Sequence, residues 1–326
     1  MTRRRLLLLS LGVSVVVLAV AAWVVDPGAL GTDLLALHPG LVLLGLAVLG
    51  VNYWLRTLRF RMLLADDGKR VQGLFGMVCI SATLNYLLPA RLGELSYPLL
   101  LKRLSGREYS IGAASVLAAR VLDLFAVAVL FPFALLASHA ALPGWAVRAA
   151  LLFMVATFAM LAAAWAWLRA HPPGAAELCE PKGAWRGRLG GFLNRVVAHL
   201  SMLTQRGQLL PLALVSLGIW LCIALNFFLI LAAASIAVPF AAAFTITLVM
   251  IPLSLLPAQG FANLGTHEAA WLMVLAAMGL PPEVAARATL LSHLVLVGYV
   301  VVMGTLGWCL ILFARRRQVD DATGTG

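Results

Sequence analysis

The charged residues Arg120 and Asp123 lie inside an otherwise apolar stretch of the chain. A separation of three residues places both side chains on one face of a helix, where they can interact directly. A charge at bilayer depth costs about 2.5–3.5 kcal/mol on insertion scales, so such residues usually face a cavity or one another. The pair therefore predicts either a structural contact or a site in which Arg120 binds a phosphate through its planar guanidinium. In the second case, Asp123 orients Arg120 or takes up a proton.

Polar residues also interrupt the apolar sequence at Asn85, Arg91 and Glu94. Pro89 and Gly93 stand among them and predict a break in the helix. Arg91 and Glu94 can pair with each other as a structural clamp, or they can act on a substrate. The sequence supports both interpretations equally.

A third polar cluster, formed by Asn263, His267 and Glu268, lies in the C-terminal half of the chain. The residues predicted to break the helix there are Pro257, Gly260 and Gly265. Thr266 can cap the following helix and Glu268 suits its positive first turn, so a capping role competes with a binding role. His267 can titrate near neutral pH and couple transport to protons, or it can be a structural hydrogen-bonding residue.

Metal and cofactor sites are not predicted. The segment from His267 to Trp271 begins like a zinc-protease motif, but that motif requires a second histidine at the position of Trp271. The cysteines are too far apart for a metal knuckle or a redox motif; they are Cys79, Cys179, Cys222 and Cys309. The chain also lacks the glycine-rich phosphate loop of nucleotide-binding proteins.

The composition places the chain in a membrane. Of its 326 residues, 63% are hydrophobic and 11% are charged, whereas soluble domains carry about 25% charged residues. The formal net charge of +11 does not indicate nucleic-acid binding, because the basic residues lie at the ends of apolar blocks and form no separate domain. They predict membrane topology and contacts with anionic lipids.

The apolar blocks predict an all-α polytopic membrane protein with about six transmembrane helices, at residues 6–25, 41–55, 111–137, 146–168, 209–238 and 284–313. Arginines 3–5 and arginines 315–317 flank the first and last of these, so we expect both termini in the cytoplasm of a bacterial inner membrane. The first block exceeds a signal-peptide hydrophobic region and has no clear cleavage site. We therefore expect it to be retained as a helix.

Two further segments, at about residues 73–104 and 241–279, predict re-entrant helical hairpins. Each contains the tetrapeptide Leu-Leu-Pro-Ala, at residues 87–90 and 255–258, followed by a polar stretch that ends in glutamate. Basic residues flank the first segment on both sides, whereas none flanks the second before Arg287. The hairpins would thus enter from opposite faces as an inverted repeat, as in many transporters. The alternative is an interfacial loop between two short spans.

The domain boundaries follow from the same pattern. Residues 1–317 are predicted to form a single integral membrane domain. The polar segment 169–208 predicts a cytoplasmic loop that contains an amphipathic surface helix. Residues 318–326 are polar and rich in glycine and threonine, and they predict a disordered tail.

The segment from Asn85 to Glu94, followed by Arg120-Val121-Leu122-Asp123, resembles the flippase-like transmembrane family, which includes the membrane half of lysylphosphatidylglycerol synthase. The later Gly265-Thr266-His267-Glu268 resembles the family's second signature. By motif position, the residues that carry over are Asn85, Pro89, Arg91, Gly93, Glu94, Arg120, Asp123, Gly265 and Glu268. The resemblance implies movement of phospholipids or polyisoprenoid-linked lipids between leaflets.

Two departures from the synthase affect that expectation. The chain has no segment long enough for a soluble aminoacyl-transfer domain, so lipid aminoacylation is not expected. Ser96-Tyr97-Pro98 stands where the family often has a basic residue, which leaves the head group undetermined.

Three classes of function remain. A lipid translocase agrees best with the buried charges and the two hairpins. A membrane scaffold for a lipid or envelope synthesis pathway would not need buried charge, and an enzyme would need a nucleophile or metal constellation that the sequence lacks. Membrane lipids are the expected partners and nucleic acid is not. The sequence does not determine whether the chain acts alone or as a homodimer.

Overall fold

A computed structural model describes residues 27–64, 73–138, 144–170, 207–255 and 260–323, and every regular element within them is helical. The α-helices are α1 (Pro27–Leu35), α2 (Pro39–Leu63), α3 (Leu74–Leu87), α4 (Ser96–Ser105), α5 (Tyr109–Ser138), α6 (Gly144–Ala170), α7 (Leu209–Ala233), α8 (Phe240–Leu255), α9 (Thr266–Ala277) and α10 (Pro282–Thr323). Two 3₁₀-helices, Pro89–Leu95 and Phe261–Asn263, interrupt the order. The predicted span at 6–25, the break residue Pro257 and most of the loop 169–208 lie outside the described residues.

Four of the described helices are long and apolar enough to cross a membrane. They are α2, residues Tyr109–Ala134 of α5, α7, and residues Pro282–Ala314 of α10. The predicted span at 146–168 corresponds to α6, which is also a long helix. Large apolar side chains such as Trp54, Trp308 and Phe313 point outward and are more than half exposed, as expected for a surface that faces lipid. The chain is therefore an all-α multi-pass membrane protein.

Several helix ends differ from the predicted ones. Helix α2 continues beyond Leu55 to Leu63, so that Arg56 and Arg59 lie inside it. Arginine is a good helix former, and its long apolar stem can be buried, so basic residues need not end a membrane helix. Helix α7 ends at Ala233 before the predicted Val238. Helix α10 extends through Thr323, whereas the sequence predicted a disordered tail from Gln318.

Helices α2 and α7 pack closely in antiparallel directions. The side-chain amide of Asn52 in α2 donates to the carbonyl oxygen of Ile219 at 2.8 Å. The amide of Asn226 in α7 donates in return to the carbonyl oxygen of Gly45 at 2.6 Å. Asparagine side chains commonly join helices within membranes in this way, because lipid offers no competing partner. The two contacts fix the position of one helix along the other.

Helix α3 packs against α10 through small residues. A Cβ atom added to Gly76 would lie 2.7 Å from the carbonyl oxygen of Gly307, so the two backbones are in direct contact. The hydroxyl of Thr83 donates to the carbonyl oxygen of Val300 at 3.0 Å. Small residues allow this close approach, which is how membrane helices gain van der Waals contact. The C-terminal part of α3 thus lies near the middle of the apolar part of α10.

The first broken element consists of α3, the first break (Leu88–Leu95) and α4. Leu88 is extended because it precedes Pro89, and α3 ends there. Gly93 then packs directly on α3: a Cβ atom there would lie 2.1 Å from the backbone nitrogen of Asn85. The start of α3 and the end of α4 meet in one apolar cluster with the C-terminal ends of α2 and α10 (Leu64, Leu74, Leu101 and Ile311 among its members).

The second broken element consists of α8, the second break, described over Gly260–Gly265, and α9. Its outer parts lie at the other end of the helical body. Residues of α8 and α9 share a cluster with the end of α7 and the start of α10 (Ala243, Leu275, Leu231 and Ala285 among its members). The second break packs against α3 and the first break. The two broken elements therefore extend from opposite ends of the protein, and their breaks meet between them.

The two halves of the described chain share one order of elements. A long helix, a broken element and a second long helix occur as α2 to α5 and again as α7 to α10. The broken helix of each half packs against the last long helix of the other half, α3 on α10 and α8 on α5. This exchange joins the halves into one body.

Candidate functional site

A central cavity of about 220 Å³ lies beside the second break, where that break packs against α3. Its polar lining comes from five helices and the second break and consists of Asn52, Tyr53, Arg56, Asn85, Tyr86, Arg120, Asp123, Trp220, Thr247 and Asn263. A smaller cavity of about 50 Å³ shares Arg56, Asn85 and Arg120 with it and adds Arg59 and Glu94. Glu94, Arg120 and Asp123, which the sequence analysis singled out, therefore all line one or both of two cavities that share part of their walls.

Asp123 is the centre of the buried charge network. One carboxylate oxygen accepts from Arg59 Nη1 at 2.7 Å and from Trp220 Nε1 at 3.2 Å. The other oxygen accepts from Arg120 Nη1 at 3.1 Å. Arg59 is 1% exposed and Asp123 is 6% exposed, so neither charge is solvated by bulk water. A buried carboxylate persists only when it is paired in this way.

Arg120 joins the first break to α5. Its Nη2 atom lies 2.8 Å from an oxygen of Glu94, while Nη1 contacts Asp123. Its Nε atom is buried and has no hydrogen-bond partner among the described residues. The guanidinium is thus held at two edges by carboxylates, and the residue also lines both cavities.

Arg56 supplies a further positive charge. Its Nε atom donates to the side-chain oxygen of Asn52 at 2.8 Å, and the same Asn52 side chain donates to α7. Around the two cavities, the described charged side chains are three arginines and two carboxylates, namely Arg56, Arg59, Arg120, Glu94 and Asp123. This set carries one excess positive charge, which favours an anion.

The second break places Asn263 in the central cavity. Ala262 and Asn263 both have left-handed backbone conformations, with φ of 52° and 66°. The Thr266 hydroxyl donates back to the side-chain oxygen of Asn263 at 2.6 Å, which stabilises this turn. Left-handed non-glycine residues are strained and are often found at functional sites.

The start of α9 differs from the capping arrangement considered for Thr266. Gly265 is the N-cap residue, with φ of 92°, a value that favours glycine. The carboxylate of Glu268 accepts the backbone N–H of Gly265 at 2.7 Å, so the cap is provided by Glu268 and not by Thr266. Gly260 is extended, and its N–H donates to the carbonyl oxygen of Leu264 at 3.0 Å.

His267 and Glu268 lie behind the second break and do not line the central cavity. The other oxygen of Glu268 contacts Nδ1 of His293, a residue of α10. Nε2 of His293 lies 2.7 Å from the carbonyl oxygen of Ala262. His267 instead contacts the hydroxyl of Ser292 at 3.0 Å. These residues form a second buried polar cluster, the histidine cluster (His267, Glu268, Ser292 and His293).

The structure thus brings part of the predicted set together. Asn85, Arg120, Asp123 and Asn263 line the central cavity, and Glu94 joins them through Arg120. The side chain of Arg91 lies outside the described part of the structure, so its pairing with Glu94 stays a prediction. Among the described residues, no group of three or more histidine, cysteine or acidic side chains is arranged to hold a metal ion.

Several residues of the site were not predicted. Arg56 and Arg59 belong to the basic residues at the ends of apolar blocks, which were interpreted as topology signals, although their spacing with Asn52 places all three on one face of a helix. Trp220 and His293 were not singled out. Each is an isolated polar group in a long apolar helix, and its partner is distant in the sequence.

The chain is similar to a glycosyltransferase over part of its length and to a protein family over most of it. The chain is 32% identical over 129 residues to the glycosyltransferase AglD of Haloferax volcanii. This match covers 39% of the chain but only 21% of that relative's length. No solved structure matches. The family described as the lysylphosphatidylglycerol synthase TM region matches residues 7–304. The chain therefore belongs to the family of the lysylphosphatidylglycerol synthase transmembrane region.

Proposed function

We propose that the protein is a lipid translocase, which moves an anionic phospholipid or a polyisoprenoid-linked lipid between the two leaflets. The observation that carries this proposal is the central cavity, which is lined by an excess of positive charge and lies where two broken helical elements meet. A cavity of this kind within a helical membrane body suits a polar head group whose tails remain in lipid.

The proposal includes a membrane placement for the two broken elements. The first, at about residues 73–104, is a re-entrant hairpin from the cytoplasm, and the second, at about 241–279, enters from outside. Their arrangement from opposite ends of the protein supports this, as does the positive charge of Lys102, Arg103 and Arg107 beside the first. Inverted-repeat transporters bind their substrates between such elements, near the middle of the bilayer.

The chemistry of the cavity suits a phosphate. Arg56 and Arg120 present guanidinium groups, which bind phosphate through two parallel N–H bonds. Asn85 adds a polar group from the end of α3, and Asn263 adds one from the second break. A volume of about 220 Å³ is below the roughly 300–1,000 Å³ of pockets that enclose a whole drug-sized ligand. A head group therefore fits, while acyl or prenyl chains stay outside.

Arg120 provides a means of coupling binding to movement. A phosphate that approaches Nη2 of Arg120 competes with the Glu94 carboxylate, which lies 2.8 Å from this atom. Displacement of Glu94 releases the first break from α5, since this ion pair links the two. Asp123 keeps Arg120 oriented meanwhile, because it contacts the other amino group of the guanidinium.

A membrane scaffold and a lipid head-group enzyme are the alternatives. Family membership is compatible with a scaffold, but a scaffold has no need of a buried charge network, which is costly in a bilayer. A sugar carried on a polyisoprenoid phosphate has the same anionic group as a phospholipid. Since the Haloferax volcanii relative is named a glycosyltransferase, lipid-linked sugars belong among the test substrates.

The experiment measures leaflet exchange in proteoliposomes. A fluorescent phosphatidylglycerol or polyisoprenoid-phosphate lipid is incorporated, and chemical quenching of the outer leaflet reports how fast lipid arrives there from the inner leaflet. Arg120→Ala and Glu94→Gln are expected to slow exchange about tenfold or more, since a hydrogen bond to a charged group is worth about 1.5–3 kcal/mol. Arg103→Ala removes the same charge from an exposed position of α4 and is the control. A lack of exchange with every lipid would favour the scaffold, and conversion of the lipid to a new species would favour the enzyme.

A further inference from the structure

The histidine cluster is the counterpart, in the second half of the chain, of the Glu94–Arg120 ion pair. Glu94 lies near the end of the first break and Glu268 lies just after the second, and each contacts a basic side chain on the next long helix. Arg120 is the twelfth residue of α5, which begins at Tyr109, and His293 is the twelfth residue of α10, which begins at Pro282. The repeat therefore places a permanent cation in one half and an ionisable group at the matching position of the other.

The hydrogen bonds of His293 require a proton. Nε2 faces the carbonyl oxygen of Ala262, which can only accept, so this nitrogen carries hydrogen. Nδ1 faces a carboxylate oxygen of Glu268. This contact is favourable if Nδ1 is also protonated, or if the Glu268 carboxyl is protonated and donates to Nδ1. A neutral histidine beside an ionised glutamate would leave two lone pairs facing each other.

From this geometry we infer that Glu268 and His293 bind one shared proton, which holds the second break in the conformation that places Asn263 in the central cavity. The proton comes from water, and no other bond is made or broken. That this proton controls lipid movement rests on the proposed function. The site itself rests on the positions of the two side chains.

The link from the proton to the cavity is short. His293 donates to Ala262, and Ala262 with the adjacent Asn263 forms the left-handed turn. Without the proton, His293 cannot satisfy both Glu268 and Ala262. Loss of the Ala262 contact releases the strained turn. Loss of the Glu268 contact releases the start of α9, where Glu268 caps Gly265. Asn263 would then leave its place in the cavity wall.

The neighbouring titratable groups are His267 on α9 and Tyr86 on α3. The Ser292 hydroxyl donates to Thr289, so it accepts from Nε2 of His267. Nδ1 of His267 is buried and without a partner among the described residues, so a second proton there would lack an acceptor. Tyr86 lies edge-on to the His293 ring, with centroids 6.2 Å apart. The geometry thus assigns the proton to His293 and Glu268, and not to His267, for which the sequence left titration and a structural hydrogen bond as alternatives.

The site is tested by melting temperature as a function of pH in the purified full chain, a readout that does not depend on transport. The folded state requires the proton and the unfolded chain does not, so the wild-type melting temperature should fall as pH rises from 6 to 9. His293→Gln and His293→Arg should both lose at least half of this pH dependence, and the arginine variant copies the first half of the repeat. His267→Gln is the matched control and should retain it.

Leaflet exchange measured over the same pH range then tests the coupling. We expect the wild-type exchange rate to change severalfold with pH and the His293→Gln rate to be nearly constant. The proton site is refuted if both His293 variants keep the wild-type dependence of melting temperature on pH. If His293→Arg does not fold, the same result for His293→Gln alone refutes it. If the melting profile behaves as expected but no lipid is exchanged, the proposed function fails and the proton site stands.

Discussion

Replacement of Asp123 by asparagine tests whether the buried arginine charges depend on the Asp123 carboxylate for stability, as the geometry of the network indicates. The asparagine keeps one oxygen but presents N–H groups to either Arg59 or Arg120, both of which can only donate. The Arg59 side chain is 2% exposed, so bulk water does not compensate for the lost carboxylate. Breaking a buried ion pair from one side costs about 3–5 kcal/mol. We expect a loss of that size in the free energy of unfolding.

The Glu94–Arg120 pair provides a scale for this loss. The Glu94 and Arg120 side chains are 23% and 32% exposed, so solvent screens their interaction, and Glu94→Gln should cost about 1 kcal/mol or less. Both variants can be compared by SDS titration in mixed micelles, with helicity followed by circular dichroism. The loss of unfolding free energy in Asp123→Asn should be several times the loss in Glu94→Gln. This ratio is more informative than either value, because both variants are compared with the same SDS-unfolded state.

A double substitution distinguishes charge burial from packing. Arg59→Met with Asp123→Leu removes both charges and keeps apolar volume, and such replacements often restore stability. We expect the double variant to be more stable than Asp123→Asn yet inactive in leaflet exchange, because Arg120 loses its orienting carboxylate. If Asp123→Asn lowers the unfolding free energy by less than about 1 kcal/mol, the network is open to water and this reasoning is wrong.

Two further substitutions test how the broken elements are positioned. Gly93→Ala should prevent the first break from folding back on α3, since its Cβ atom would lie 2.1 Å from a backbone nitrogen, and the melting temperature should drop sharply. Gly50→Ala is the control and should change the melting temperature little, because nothing lies within 4 Å of its added Cβ atom. Gly307→Val should separate α3 from α10, because a Cβ atom there already lies 2.6 Å from Cys79 and 2.9 Å from the backbone of Gly76. A normal melting temperature for Gly307→Val would contradict the described packing of these helices.

The apolar part of the fold could be predicted from the sequence because a bilayer fixes the length of a spanning helix. The Arg120–Asp123 contact could also be predicted, since helical spacing is local. Arg59 could not, because a basic residue near a helix end usually marks the interface, and only the packing of α2 against α5 and α7 shows that it is buried. The partner of Glu268 is likewise set by packing between helices, and His293 lies 25 residues away.

The pairing of break residues was harder still. The sequence left open whether Arg91 pairs with Glu94, and this contact stays a prediction because the Arg91 side chain lies outside the described part of the structure. The sequence did not suggest the contact of Glu94 with Arg120, which lies on a different helix. Where the backbone leaves regular helical geometry, sequence spacing no longer gives the direction of a side chain, so local patterns lose their value at the positions that matter most for function.

The reciprocal asparagine contacts between α2 and α7 limit how the protein can change shape. Asn52 and Asn226 join the helices at two heights, so a slide of one helix along the other would break both hydrogen bonds at once. A motion that opens the central cavity first to one side of the membrane and then to the other would have to leave α2 and α7 fixed relative to each other. The two broken elements, and not these long helices, would then be the parts that move.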